Sequence, residues 1–248
     1  MRIALVLLTR NEIHGVRAVF DRIPRTAVEE VLVVDGGSTD GTVEFLRDHG
    51  VQVLPQTSAG RGEAFRLAMQ FMHGDAAIFF SPDGNEDPTD IQKFRSWLEE
   101  GYDMVIATRM VCGARNEEDG HWLPLRKWAN QAFNLMANVT WGRGPFISDT
   151  INGFRAITKQ AWRRVSPDAL GYAVEYQTSI RAMKLRLRVA EFPTHEAPRI
   201  GPGGSPSFKT GLAFLRLYLR ELWIGRRFEQ RLAKSPHDPT GMELEPTA

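Results

Sequence analysis

Polar side chains follow four short apolar runs of the chain, at the point where each run ends. They are Thr9-Arg10-Asn11-Glu12, Asp35, Ser81-Pro82-Asp83-Gly84-Asn85-Glu86-Asp87 and Thr108-Arg109. Carboxylates and amides in such places can hold ribose, base or a hard cation, and guanidinium groups grip phosphate oxygens. Four polar strand ends in succession are more than turn formation requires, so we expect them to line one crevice.

The elements that must position these residues alternate between strand and helix. The predicted strands are Ile3–Leu8, Val31–Val34, Val51–Pro55, Ala76–Phe80 and Met104–Ala107, and the predicted helices are 11–20, 42–49, 60–72 and 87–100. This alternation predicts an α/β fold, with a mostly parallel sheet and helices on both faces. The carboxyl ends of its parallel strands share one edge, where open α/β sheets bind ligands.

The second half of the chain is less regular. The pattern predicts helices over Leu125–Trp141, Lys159–Val165, Ala173–Leu187 and Phe208–Ala233, and strands over Gly153–Ile157 and Arg188–Phe192. The last helix has broad apolar and basic faces, which suits either a membrane interface or packing on protein. We predict a domain over 1–207, an amphipathic helix over 208–234 and a disordered tail over 235–248.

The segment around Asp35 carries the strongest local pattern. Val31-Leu32-Val33-Val34 is a buried strand by composition, and Gly36-Gly37-Ser38-Thr39-Asp40-Gly41 is a tight turn before a helix. A carboxylate at that strand end can hydrogen-bond a base or a ribose. The alternative is an ordinary strand–turn–helix in which Asp35 only shapes the turn.

Composition limits the function classes. The 248 residues include a single cysteine, Cys112, which excludes an intrachain disulfide and a cysteine zinc cluster. The net charge is +1, but residues 181–234 hold twelve Lys and Arg against four acidic residues, a local excess of eight positive charges. Such an excess indicates an anionic partner or a solvated basic face. The chain has neither a signal-peptide pattern nor an apolar run long enough to span a bilayer, so we expect a cytoplasmic protein.

In their order along the chain, these segments resemble the family 2 glycosyltransferases of GT-A fold. Within that family they are similar to the dolichol- or polyprenol-phosphate mannosyltransferase-like group. The matching segments are Thr9–Glu12, Val33–Thr42, Gly60-Arg61-Gly62-Glu63-Ala64, Ser81–Pro88, Thr108-Arg109, Asp149-Thr150-Ile151-Asn152-Gly153-Phe154-Arg155-Ala156, Glu191-Phe192-Pro193 and Arg199-Ile200-Gly201. They extend over about residues 3–210.

The resemblance implies a donor site and a metal site. The implied donor-binding residues are Thr9, Asn11, Glu12, Asp35, Gly37, Gly62, Ser81 and Asp83. A divalent cation, Mg²⁺ or Mn²⁺, would be held by Asp83 and Asn85 and would stabilise the leaving diphosphate. Ser81 stands where the family has the first aspartate of its Asp-X-Asp element, so the site has one carboxylate fewer.

The resemblance also implies how an acceptor is held. A polyprenyl phosphate and a diphosphate donor repel each other, and arginines neutralise both. We expect Arg109, Arg126 and Arg199 to bind the acceptor phosphate. The expected catalytic residues are Asp83, Arg109, Asp149 and Arg155.

The resemblance implies an inverting glycosyltransferase that moves a sugar from a nucleotide-diphosphate sugar to a polyprenyl or dolichyl phosphate. GDP-mannose is the first-choice donor and UDP-glucose the second. Two alternatives stay open: the same fold acting on a hydroxyl acceptor, for which Asp149 or Glu175 would be the general base, and a nucleotide-sugar-binding protein without turnover. We expect peripheral contact with the cytoplasmic membrane face and a possible homodimer, and we expect no nucleic-acid partner.

Overall fold

The computed structural model describes residues 1–201 and 207–228. Its strands are β1 (Ile3–Thr9), β2 (Glu30–Asp35), β3 (Gln52–Pro55), β4 (Ala76–Phe80), β5 (Met104–Thr108), β6 (Arg155–Thr158) and β7 (Val189–Pro193). In the described part of the chain they form one sheet in the order β3-β2-β1-β4-β6-β5-β7. This confirms the predicted α/β fold.

Helices cover both faces of the sheet. They are α1 (Ile13–Val19), α2 (Thr42–Asp48), α3 (Arg61–Phe71), α4 (Lys93–Glu99), α5 (Leu125–Trp141), α6 (Lys159–Val165), α7 (Val174–Leu185) and α8 (Ser207–Ile224). Short 3₁₀ turns occupy Phe20–Arg22, Arg25–Ala27 and Pro88–Gln92.

Strand β6 differs from its neighbours in direction. It runs antiparallel to both β4 and β5, whereas the other pairs of strands in the sheet are parallel. The residues that precede β6 therefore lie at the edge where the parallel strands end. The Asp149–Phe154 segment joins the same edge as Thr9 and Arg109 for this reason.

Two apolar layers hold the sheet between its helices. On β1 the side chains alternate, so that Val6 packs with α3, α5, α6, α7 and α8, and Leu5 packs with α1, α2 and α4. Strands β1, β4 and β5 are buried along their full length. These fixed strands give the loops at their carboxyl ends a rigid base.

Two predicted helix boundaries were wrong. Helix α1 begins at Ile13 and not at Asn11, because Asn11 has a positive φ of 55° and its side chain accepts a hydrogen bond from Thr39 N–H at 2.8 Å. The helix predicted over 87–100 is two elements. The Asp87 carboxylate caps a 3₁₀ turn through Thr89 N–H at 3.0 Å, and α-geometry starts only at Lys93.

Helix α8 packs on the domain through a buried charge cluster. The Glu221 carboxylate, fully buried, contacts Arg181 at 2.9 Å and Lys184 at 2.6 Å, both on α7. The predicted end of this helix was also wrong, because α8 ends at Ile224 and Gly225 has a positive φ of 58°. Residues 229–234 of the predicted helix and the predicted tail 235–248 lie outside the described residues. Among the described helices, none has the length and apolar character that crossing a bilayer requires.

Candidate functional site

A cleft of about 1580 Å³ opens at the carboxyl edge of the sheet. Seven of the predicted donor, metal and acceptor residues with ionisable or amide side chains line it: Asn11, Glu12, Asp83, Asn85, Arg109, Arg126 and Arg199. Thr9 and Ser81 also line it. Loops from separate strands therefore meet around one space, as the strand-end pattern predicted.

Hydrogen bonds connect the loop after β1 to the loop after β2. Thr9 Oγ1 donates to Asp35 Oδ2 at 2.8 Å, and Asn11 N–H donates to Ser38 Oγ at 2.8 Å. The Asp40 carboxylate accepts from Ile13 N–H at 3.0 Å. This network presents Asn11 and Glu12 to the cleft in a fixed geometry.

The Asp35 carboxylate belongs to that network and does not line the cleft. It is buried and accepts hydrogen bonds from Thr9 Oγ1, from Ser38 Oγ and from the Gly37 and Ser38 N–H groups. Its oxygens are thus already engaged, and Gly37, predicted to bind donor, is exposed and does not line the cleft. Gly36, between the two, is the residue of this turn that lines the cleft.

The loop after β4 carries a carboxylate, an amide and a second acid. Asp83 is buried, and burial raises the pKa of its carboxyl despite the nearby Arg199 cation. Burial and the neighbouring Asp83 charge raise the pKa of Glu86 to about 8. Asn85 Oδ1 is buried and has no hydrogen-bond partner among the described residues.

The segment after β7 lies across this loop. Arg199 donates to Asp83 Oδ2 at 2.7 Å and is ion-paired with Glu12. Ile200 N–H donates to the Asp83 carbonyl at 2.8 Å, and a Cβ at Gly84 would lie 2.5 Å from the Ile200 side chain. Arg199 therefore joins the loops after β1 and β4 to the segment after β7.

At the start of α3, Arg61 is the residue that reaches the cleft. It is ion-paired with Glu175, and both of its terminal nitrogens lie 3.3 Å from Ser81 Oγ. Gly62, predicted to bind donor, packs away from the cleft instead. A Cβ there would lie 1.8 Å from the Ala169 carbonyl oxygen, so Gly62 permits close packing.

Arg109 lies between two buried carboxylates. It donates to both oxygens of Asp149, at 2.8 and 3.1 Å, and to Glu196 Oε1 at 3.0 Å. Burial alone would lower the pKa of Arg109, but these two carboxylates outweigh burial and raise it. Three of the five guanidinium N–H groups are used, which leaves two for a ligand. Asp149 is fully buried behind Arg109 and does not line the cleft.

Arg155 does not lie in the cleft, and its predicted place there is corrected. It is fully buried and donates to the carbonyl oxygens of Asn152 at 2.7 Å, Glu175 at 3.0 Å and Thr150 at 3.1 Å. Burial lowers its pKa to about 10. These bonds fix the turn before β6, so Arg155 shapes the cleft wall from inside the core.

Arg126 reaches the cleft from α5. It is ion-paired with Glu117 and lies 3.9 Å from Glu118, both of which line the same side. Burial lowers its pKa. This end of the cleft also has an apolar rim, formed by Leu125 and Phe133 of α5 and by Phe208, Leu212, Phe214 and Leu215 of α8.

Arg61 and Glu196 contact predicted residues but were absent from the predicted donor, acceptor and catalytic sets. Glu175 was predicted only as a general base for a hydroxyl acceptor. Arg61 could have been found, because a cation between two glycines at a helix start suits an anion site. Glu175 and Glu196 reach the cleft only through tertiary packing, far in sequence from their partners Arg61 and Arg109.

The family model for glycosyl transferase family 2 matches residues 5–160, which include the β1, β2 and β4 loops of the cleft. The chain belongs to glycosyl transferase family 2. This confirms the family and the enzyme class that the ordered motifs indicated.

Curated relatives include transferases named for polyprenyl phosphates. Glycosyltransferase AglJ of Haloferax volcanii is 29% identical over 224 residues, which cover 88% of this chain and 71% of that protein. The dolichol-phosphate mannosyltransferase of Pyrococcus furiosus is 24% identical over 91% of this chain and 65% of its own length. An undecaprenyl-phosphate 4-deoxy-4-formamido-L-arabinose transferase of Yersinia pestis is 26% identical, over 80% of this chain and 60% of its own length.

Solved structures support the fold. Glucosyl-3-phosphoglycerate synthase from Mycobacterium tuberculosis, in complex with Mn²⁺, UDP and phosphoglyceric acid, aligns with a TM-score of 0.69 at 24% identity. The alignment covers 91% of this family 2 chain and 78% of the synthase. The predicted GT-A fold is confirmed.

Proposed function

We propose that this protein transfers a sugar, with inversion, from a nucleotide-diphosphate sugar to a polyprenyl phosphate. The observation that carries the proposal is the combination of two surfaces in one cleft. Hydrogen-bonding and carboxylate groups of the β1, β2 and β4 loops line it together with Arg109 and Arg126, and an apolar rim from α5 and α8 lies beside Arg126. A lipid phosphate has those two characters, one anionic and one apolar.

The donor would extend along the edge of the sheet. Asn11, Glu12 and Gly36 would hold the nucleoside, and the Ser81–Asn85 loop would face the diphosphate. The donor base and sugar are part of the proposal, with GDP-mannose first and UDP-glucose second. The synthase that shares this fold was crystallised with UDP, which supports a nucleotide donor.

Asp83 and Asn85 fit a hard divalent cation. They offer oxygen ligands, which Mg²⁺ and Mn²⁺ prefer, and the buried Asn85 Oδ1 lacks any other partner. When bound, the cation would stabilise negative charge on the leaving diphosphate. Within residues 1–201 and 207–228, no three His, Cys, Asp or Glu side chains converge on a metal position, so donor phosphate oxygens would complete the shell.

The acceptor phosphate would enter beside Arg109. Its two remaining N–H groups, with Arg126 and Arg199 nearby, would neutralise the phosphate and orient one oxygen toward the anomeric carbon. That oxygen forms the new C–O bond, the bond to the diphosphate breaks, and the nucleoside diphosphate leaves with the electron pair. A phosphate is ionised at neutral pH, so the step needs no general base.

Peripheral contact with a membrane is part of the same proposal. The outer faces of α5 and α8 expose Val139 and Trp223 at 78% and 77% of their surface, and α8 also exposes Lys209 and Arg216. Apolar side chains among basic ones suit an anionic bilayer surface. Residence on the cytoplasmic face, and a homodimer, stay predictions.

The test is a transfer assay with radiolabelled donor and a short polyprenyl phosphate. The proposal expects label in the organic extract, in amounts that depend on the lipid. Label in a water-soluble product would favour a hydroxyl acceptor. Donor binding without release of nucleoside diphosphate, with any acceptor, would favour a binding protein without turnover.

A further inference from the structure

The loop after β4, residues 81–87, holds three acidic residues, and the structure places each of them differently. Asp83 lines the cleft and accepts from Arg199 at 2.7 Å. The Asp87 carboxylate caps the following 3₁₀ turn through Thr89 N–H and does not line the cleft. Glu86 takes no part in that cap and lines the cleft. Glu86 is therefore a second carboxylate of this loop at the wall of the cleft.

Glu86 lies against the position where this loop lacks a carboxylate. Ser81 directly follows β4 and stands where the family has the first aspartate of its Asp-X-Asp element. Glu86 Oε2 accepts a hydrogen bond from the Ser81 N–H at 2.8 Å. The Glu86 side chain thus brings a carboxylate to the carboxyl end of β4, beside the residue that carries none.

The second oxygen of Glu86 has no bond within the protein. In the part of the chain that the structure describes, the Ser81 N–H is the one hydrogen-bond donor to this carboxylate, and no basic side chain forms an ion pair with it. The negative charge of Asp83 acts on Glu86 more strongly than the positive charge of Arg61 does. A bound divalent cation would offset the repulsion between the two carboxylates.

The oxygen ligands of this loop match a hard divalent cation, whose affinity depends on the number of charged ligands that hold it. Asn85 Oδ1 is buried without a hydrogen-bond partner among the described residues, and Asp83 Oδ1 accepts from the Asn85 N–H at 3.2 Å. We propose that Glu86 supplies the carboxylate that Ser81 leaves out and binds the same Mg²⁺ or Mn²⁺ as Asp83. This inference rests on the proposed function, whose cation site it extends from two residues to three.

Three variants separate a cation ligand from a residue that only holds the loop. In Glu86→Gln the amide oxygen keeps the Ser81 N–H, so an NH₂ group, which binds no cation, replaces Oε1. Asp87→Asn is the control, because it removes an equal charge from the same loop outside the cleft. Ser81→Asp combined with Glu86→Gln returns a carboxylate to the end of β4.

Two affinities are measured for the wild type and for each variant. Binding of Mn²⁺ in the presence of GDP or UDP is followed by the electron paramagnetic resonance signal of free Mn²⁺. The titrations are carried out at about pH 8, because a ligand carboxylate binds a cation in its ionised form. Calorimetry in EDTA gives the affinity for the metal-free nucleotide.

We expect Glu86→Gln to weaken Mn²⁺ binding by roughly tenfold or more and to leave nucleotide affinity in EDTA unchanged. Asp87→Asn should alter neither affinity, and the added Ser81→Asp should restore Mn²⁺ binding. Unchanged Mn²⁺ affinity in Glu86→Gln would overturn the inference and leave the proposed function standing. An equal loss in Asp87→Asn, or an equal loss of nucleotide affinity in EDTA, would also overturn it, since either result would show a general effect of charge or of loop structure.

Measurements on the wild type test the proposed function separately. A wild type that binds neither GDP nor UDP, with or without Mn²⁺, would refute the proposed function and this inference together. A wild type that binds a nucleotide equally well with Mn²⁺ and in EDTA would overturn the cation site, and with it this inference, while nucleotide binding itself would stand.

Discussion

Arg199 Nη1 lies 2.7 Å from Asp83 Oδ2, so a residue from the segment after β7 is bonded to the loop after β4. The same guanidinium is ion-paired with Glu12 from the loop after β1. One side chain thus connects the segment after β7 to the loops after β1 and β4. A donor that engages Asp83 must share it with Arg199 or displace it.

Asp83 should be required for turnover. Asp83→Asn removes the charge that would act on a cation and on Arg199, and we expect nucleoside diphosphate release to fall by at least about 100-fold. The matched control is Asp87→Asn. Asp87 does not line the cleft, and the asparagine keeps an oxygen that can accept the capping hydrogen bond from Thr89 N–H. Near-normal release by Asp83→Asn would remove Asp83 from the mechanism.

Glu86 should make stability depend on pH. Its folded pKa of about 8 exceeds the ordinary 4.5, so the folded state holds a proton that the unfolded state releases, and stability falls as pH rises from about 4.5 to 8. Glu86→Gln keeps an acceptor for Ser81 N–H and removes this dependence. We expect a Tm gain of roughly 2 to 8 °C at pH 8 and almost none at pH 4.5, measured by calorimetry. An equal difference at both pH values would contradict the assignment.

We expect Arg155 to contribute to the stability of the fold and to take no direct part in catalysis. Arg155→Met leaves the carbonyl oxygens of Thr150, Asn152 and Glu175 without their shared donor. We expect the free energy of unfolding to fall by about 3 kcal/mol, measured in urea. If Arg155→Met is as stable as the wild type but loses turnover, Arg155 acts in catalysis and this assignment is wrong.

Glu221 should hold α8 against α7. Glu221→Gln leaves Arg181 and Lys184 buried with less counter-charge, and we expect a loss of about 2 to 4 kcal/mol in urea unfolding. Lys209→Gln, an exposed change on the same helix, is the control. Equal stability of the two variants would show that the buried cluster contributes little.

Membrane contact should depend on the apolar outer face of α8. We expect co-sedimentation with anionic liposomes that weakens as salt rises, because the basic residues are screened. Trp223→Glu should reduce pelleting several-fold, whereas Phe71→Glu, an exposed apolar residue of α3, should not. Absence of pelleting at low salt would remove the membrane part of the proposal.

The places where the sequence predicted well share a cause. Thr9, Asp83 and Arg109 follow buried apolar strands, and strand ends of a parallel sheet must share an edge. Arg155 follows no such rule. It lies within β6, and its acceptors are main-chain carbonyls that only the folded chain brings together.

The same limit applies to pairs distant in sequence. Glu175 meets Arg61 across 114 positions and Glu196 meets Arg109 across 87, and no periodicity records either pairing. The sequence predicted the tight turn after Asp35, but it left open whether the Asp35 carboxylate faces a ligand or the turn. The structure shows four donors on that carboxylate, all from the turn or from Thr9.

A crystal structure with Mn²⁺ and whichever of GDP-mannose and UDP-glucose raises the Tm more tests the central claim most directly. We predict the nucleoside beside Asn11 and Gly36, the diphosphate at the Ser81–Asn85 loop and the sugar beside Gly153. A nucleotide sugar bound elsewhere, for example in the small cavity between Asp168 and Trp223, would contradict the account.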